Sequence, residues 1–117
     1  MPRHLESRLQ SSCKTWFDLQ HNQYSKLLFA VPNGGARSVV EAKIMKGEGV
    51  VAGVSDMILL VPRGRYASLC IEFKTKTGKQ TQLQKEWQKT AEENGNRYVV
   101  VRSIEDFVRE INAYLRL

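Results

Sequence analysis

The chain has few of the residues that cross-link or metal-staple a small fold. Only two cysteines occur, Cys13 and Cys70. They fit no metal-ligand spacing, and Cys70 falls inside an apolar alternation, so a reduced cytosolic setting is the simplest expectation. His4 has no partner histidine at ligand spacing, which favours a surface role over metal binding. No apolar run approaches the roughly 20 residues of a membrane helix, and no signal-peptide pattern is present, so no membrane partner is expected. Repeats, low-complexity tracts and linkers are absent as well. At 117 residues this leaves room for one domain, 1–117, with a real core. Acidic residues are the scarcer sign: 12 Asp+Glu against 18 Lys+Arg give a net charge of +6. That balance favours a polyanionic partner, although a generic basic surface would produce the same numbers.

The stretch around which the chain is organised runs from Gly53 to Lys74. Asp56 opens an apolar strand, Met57 to Val61, and Pro62-Arg-Gly-Arg65 supplies turn chemistry. In Leu69 to Lys74 the apolar side chains Leu69, Ile71 and Phe73 alternate with Cys70, Glu72 and Lys74. A strand here would bury the first set and present Glu72 and Lys74 together on its other face. An antiparallel hairpin of the two strands would bring Asp56 beside Glu72. Two carboxylates held that close repel unless a shared proton or a cation relieves them, and a hard oxygen-seeking ion such as Mg²⁺ is the common relief.

The surrounding elements follow from periodicity. Arg3 to about Gln20 reads as an amphipathic helix with Leu5, Leu9, Trp16 and Phe17 at roughly helical spacing. Its Glu6 could reach a metal held by the strands, or be a solvated glutamate near a helix N-terminus. Leu27 to Val31 reads as a short strand, ended by Pro32-Asn33-Gly34-Gly35. Glycines there would let backbone N–H groups approach an anion, with Asn33 and Arg37 beside them; a plain strand-to-helix turn is the alternative. A helix follows from about Ala36 to Met45, with Val40 and Ile44 on one face and Lys43 and Lys46 nearby. Thr75 to Lys79 is a basic turn next to the candidate site. Thr81 is a fair N-cap for a helix to about Asn94, with Leu83, Trp87 and Ala91 as its core stripe and Gly95 at its end. Gln84 lies where it could face the site. Arg97 to Arg102 is a further strand, and Ser103 caps a last helix with a clean apolar face from Ile104 to Leu115. This order predicts an α/β fold with a central mixed sheet flanked by helices.

Asp56, then Glu72-Phe73-Lys74 on the next strand, with Glu6 on a preceding helix and Gln84 on a following one, resembles the PD-(D/E)xK nuclease superfamily. Five ordered blocks look like its VRR-NUC family: Pro32 to Gly35 with Arg37, Met45 to Asp56, Glu72 to Lys74, Thr81 to Gln84, and Tyr98 to Ser103. Together they cover nearly the whole chain. The family usually has proline just before the aspartate, where this chain has Ser55. That proline shapes backbone and contacts no metal, so its loss is expected to loosen the strand start without abolishing chemistry.

The resemblance implies a restriction-endonuclease-like core and a Mg²⁺- or Mn²⁺-dependent phosphodiesterase, of the small stand-alone type found in phages and bacteria. Such proteins are expected in the cytoplasm of a bacterium or phage-infected host. It further implies a homodimer that cuts branched DNA such as four-way junctions. A flap or non-specific nuclease and a non-catalytic nucleic-acid-binding module stay open as alternatives. On this reading Asp56, Glu72 and the backbone carbonyl of Phe73 would ligate the metal, with Glu6 completing the set. Lys74 would manage the attacking water, and Gln84 would orient it or the phosphate. Asn33, Gly34, Gly35, Arg37, Lys46, Lys76 and Lys79 would contact the DNA backbone. A C2 dimer would supply two symmetric cuts, and Trp16, Phe17 and Tyr114 are candidates for its face or for the core.

Overall fold

The computed structural model describes residues 2–32 and 38–117. Among these described residues, four helices and four strands follow in the order α1 (Pro2–Gln20), β1 (Leu28–Ala30), α2 (Val39–Gly47), β2 (Met57–Leu59), β3 (Leu69–Phe73), α3 (Gln82–Glu93), β4 (Arg97–Val101) and α4 (Ile104–Leu115). A 3₁₀ segment, Asn22–Leu27, joins α1 to β1. The strands form one sheet in the order β1-β2-β3-β4. β1, β2 and β3 pair antiparallel, while β4 lies parallel to β3, as a strand returning through a helical crossover must. The expected mixed α/β sheet is therefore present.

Pleat alternation divides the sheet into two unlike faces. Leu28, Met57, Leu59, Leu69, Ile71, Phe73, Val99 and Val101 form one core with Cys13 and Phe17 of α1 and Phe107, Ile111 and Tyr114 of α4. The Phe73 and Phe107 rings stack with centroids 6.0 Å apart. The opposite face carries Cys70, Glu72 and Tyr98, which α3 covers. All five residues of β3 are consequently buried: the sequence predicts burial of Leu69, Ile71, Phe73 and Cys70, and the cover over Glu72 is added by α3.

One open alternative is decided and two expectations are corrected. Phe17 and Tyr114 lie in the core, and Tyr114 donates its hydroxyl to the Val61 carbonyl at 2.7 Å, so neither offers a dimer face. Trp16 packs its ring edge on Phe107. On α3, Ala91 is buried but Leu83 is 54% exposed. The first turn of that helix is fixed through its backbone, which leaves the Leu83 side chain outside. On α1 the buried stripe is Leu9, Cys13, Trp16 and Phe17, and Leu5 stays exposed.

The helix ends are set by local chemistry. Thr81 and Gln84 form a reciprocal capping box on α3, Ser38 and Glu41 do the same on α2, and Ser103 accepts from Asp106 N–H on α4. Each satisfies backbone N–H groups that a helix start leaves unpaired.

Candidate active site

Asp56 stands where β2 begins. Its carbonyl accepts from Val31 N–H at 2.8 Å, which ties it to the end of β1. The β2–β3 register pairs Met57 with Ile71, so Asp56 comes opposite Glu72. The Asp56 carboxylate accepts the Phe73 N–H at 2.7 Å, taking the place of a further ladder bond. N–H and C=O of one strand residue project to the same side, so the Phe73 carbonyl points toward this same edge.

Glu72 is a carboxylate only 1% exposed. Burial first, then repulsion from Asp56, pushes its pKa up to about 8, while the Lys74 ammonium opposes the shift. Lys74 is itself buried, with Nζ 3.6 Å from Glu72 Oε2. The expected trio is thus assembled at one end of the sheet.

Gln84 completes the grip on Glu72. Its Oε1 accepts the Thr81 N–H at 2.9 Å as part of the helix cap, which forces Nε2 outward, where it donates to Glu72 Oε2 at 3.0 Å. The helix cap therefore fixes this amide as a donor toward the acid. Gly53 controls how near α3 can come. Its φ is +90°, and a Cβ there would lie 2.5 Å from the Leu83 carbonyl oxygen. Only glycine lets the segment leading to Asp56 lie against the first turn of α3.

A cleft of about 400 Å³ opens over these groups, lined by Asp56, Glu72 and Gln84 and, across from them, by Glu6, Gln10 and Ser11 of α1. Glu6 also borders a smaller neighbouring recess of about 190 Å³ with Lys74, Lys76 and Arg102. Glu6 is thus brought to the cleft that Asp56 and Glu72 share. Among the described residues, however, no three His, Cys, Asp or Glu side chains converge closely enough to grip an ion by themselves. The donors fit a hard cation in kind: two adjoining carboxylates that repel, a backbone carbonyl beside them and a third acid across the cleft.

A family model of the VRR-NUC domain matches residues 1–105. The chain belongs to the VRR-NUC domain family. It is also similar to a solved structure described as "VRR_NUC domain protein", with a TM-score of 0.84 and 28% identity over 96% of this chain and 88% of that one. No curated protein matches it. Membership places the chain among nuclease domains, and the likeness in structure establishes a restriction-endonuclease-like fold.

In this VRR-NUC domain Ser55 replaces the usual proline without leaving a gap: it is fully buried, and its hydroxyl donates to the Met57 carbonyl at 3.1 Å. That bond braces the strand start, which the sequence suggested would be loosened. Lys76 lines the smaller recess, and Lys79 is exposed on the same turn. Lys46 is set apart, exposed on α2 and bordering a separate groove of about 510 Å³ that shares Pro32 with the cleft. Asn33, Gly34, Gly35 and Arg37 lie outside the described residues.

Several residues of this VRR-NUC site escaped sequence reasoning. Arg102 donates to the carbonyls of Thr75 at 2.6 Å and Gly78 at 2.7 Å, so it holds the basic turn against the sheet end. Gln10 follows Glu6 by one helical turn, a polar edge that α1 periodicity could have revealed. Tyr98 reaches Glu72 from β4. Burial, then the Glu72 charge, hold its phenol well above the ordinary range. Its signal was only parity: Tyr98 pairs with Cys70 on the strand that bears Glu72.

Proposed function

We propose that this VRR-NUC domain is a divalent-metal-dependent DNA endonuclease that hydrolyses phosphodiester bonds in branched DNA as a homodimer. The observation that carries the reading is the buried Glu72, set opposite Asp56 on the adjoining strand, with Lys74 Nζ 3.6 Å away. Burying Glu72 and Lys74 together beside a second, half-buried acid costs several kcal/mol in desolvation, a cost that a merely structural strand end would avoid with apolar residues.

Hydrolysis proceeds by in-line attack of water, with negative charge growing on the non-bridging oxygens and the departing 3′ oxygen. Asp56, Glu72 and the Phe73 carbonyl would hold Mg²⁺ or Mn²⁺, with Glu6 approaching from α1. When bound, that ion supplies charge against the phosphate and makes nearby water a stronger nucleophile. Lys74 holds or deprotonates the attacking water and offsets developing charge. Gln84 keeps Glu72 turned toward the cleft. Lys76 and Lys79, on the turn braced by Arg102, meet the DNA backbone without reading sequence.

Two symmetric cuts in a junction call for a two-fold dimer. With Phe17 and Tyr114 in the core, the apolar surface that suits this role is α2, where Val39, Val40 and Ile44 are exposed.

The test is cleavage of labelled linear, flap and four-way-junction DNA with Mg²⁺, Mn²⁺ or EDTA, alongside light scattering. Junction cutting that needs the ion and is lost in Asp56→Ala and Lys74→Ala supports the reading. Binding without cutting under every metal condition would leave a nucleic-acid-binding module in its place.

A further inference from the structure

The Glu72 carboxylate has two oxygens with different keepers. Oε2 faces Gln84 Nε2 at 3.0 Å and Lys74 Nζ at 3.6 Å, whereas the contact to Oε1 is the Tyr98 hydroxyl at 3.5 Å. The direction of that contact is decided further out. Glu92 on α3 is a carboxylate and accepts from Gln88 Nε2 at 3.4 Å. This leaves Gln88 Oε1 as an acceptor for Gln80 Nε2 at 2.9 Å. The same Gln80 nitrogen, with a second hydrogen, donates to the Tyr98 hydroxyl oxygen at 3.2 Å. Having accepted there, Tyr98 has its own hydrogen to give, and Glu72 lies in reach. Donation therefore diverges from the Gln80 amide, outward through Gln88 to Glu92 and inward through Tyr98 to Glu72. Trp87 seats the Tyr98 ring, with centroids 6.2 Å apart.

We propose that Tyr98, oriented by Gln80, is a positioning residue that fixes the rotation of the Glu72 carboxylate and so presets the metal-facing edge of the site. This rests on the reading of Glu72 as a ligand of the proposed nuclease. A ligating carboxylate held by outer hydrogen bonds keeps its geometry, and loss of such partners commonly weakens metal binding by about 10-fold or more. With Oε2 held and Oε1 released, the group can swing about its last bond.

The test compares wild type with Tyr98→Phe, Gln80→Leu and the double variant. Three readouts are taken: Mn²⁺ affinity of the apo protein by electron paramagnetic resonance, kcat and KM on junction DNA, and metal-free crystal structures. Tyr98→Phe is expected to fold, to bind Mn²⁺ about 10-fold more weakly, and to lose kcat with KM for DNA little changed. Gln80→Leu should give a smaller effect of the same kind and add nothing in the Tyr98→Phe background, because it acts through the tyrosine. Wild-type affinity and kcat in Tyr98→Phe, or full additivity of the two substitutions, would overturn the proposal. If wild type neither binds Mn²⁺ nor cuts DNA, the nuclease reading fails by itself. Crystals then judge the positioning role: a second Glu72 orientation in Tyr98→Phe sustains it, and an unchanged one overturns it.

Discussion

Replacing Glu72 with glutamine should make the metal-free protein more stable at alkaline pH and slightly less stable in acid. Burial and Asp56 raise the Glu72 pKa from 4.5 to about 8. An acid whose pKa is raised on folding leaves stability intact below its unfolded value. That stability then declines as pH climbs, until the folded-state pKa is passed. The window is therefore pH 4.5 to 8, and the full shift corresponds to a ceiling of about 5 kcal/mol. That shift already includes the opposing Lys74 ammonium; the Gln84 and Tyr98 donors also favour the ionised carboxylate, so the realised loss should be smaller, about 2–3 kcal/mol. Glutamine avoids it but turns an amide N–H₂ toward one of those donors, at a cost of about 1 kcal/mol that does not depend on pH. Urea unfolding of both proteins in EDTA at pH 5 and 8.5 separates these terms, because titration elsewhere cancels in the difference. The variant should gain about 1–2 kcal/mol on wild type at pH 8.5 and trail it by only about 0.2 kcal/mol at pH 5, where wild type has already lost about 0.8 kcal/mol of the Glu72 contribution. A gap of equal size at both pH values would refute the argument, showing that Glu72 ionises as an ordinary carboxylate despite its burial.

Gly53→Ala should cost about 2 kcal/mol or more, since alanine is strained at a φ of +90° and its Cβ meets the Leu83 carbonyl; thermal melts read the loss, and an unchanged melting temperature would contradict the contact. Because the same substitution lifts α3, it should also weaken the Gln84 contact, so its effect on cleavage should shrink in a Gln84→Ala background. Phe17→Ala should destabilise by about 3–5 kcal/mol and leave assembly unaffected at permissive temperature; a change in light scattering with little change in stability would return Phe17 to an interface. Burial pushes the Cys13 thiol up to about 12 and raises Cys70 as well. Neither should react with a thiol reagent at pH 8 in the native protein, and both should react in urea.

Local patterning carried most of the fold. The period-2 run from Leu69 to Phe73, the turn at Pro62 to Arg65 and the caps at Thr81 and Ser103 each act within a few residues, so strand pairing and helix starts could be read from the chain in order. The adjacency of Asp56 and Glu72 was legible for the same reason, since a hairpin fixes register locally. What the sequence could not supply was the second cover on β3. Whether Glu72 faces water or α3 depends on a helix ten residues further on docking across the sheet, made possible by the missing side chain at Gly53. That docking is why Glu72 is titrated by its surroundings, why Leu83 is outside while Tyr98 is inside, and why the acid's second oxygen is met from β4. Helical and strand periods determine which faces are apolar; only long-range contact decides which polar groups are shut in with them.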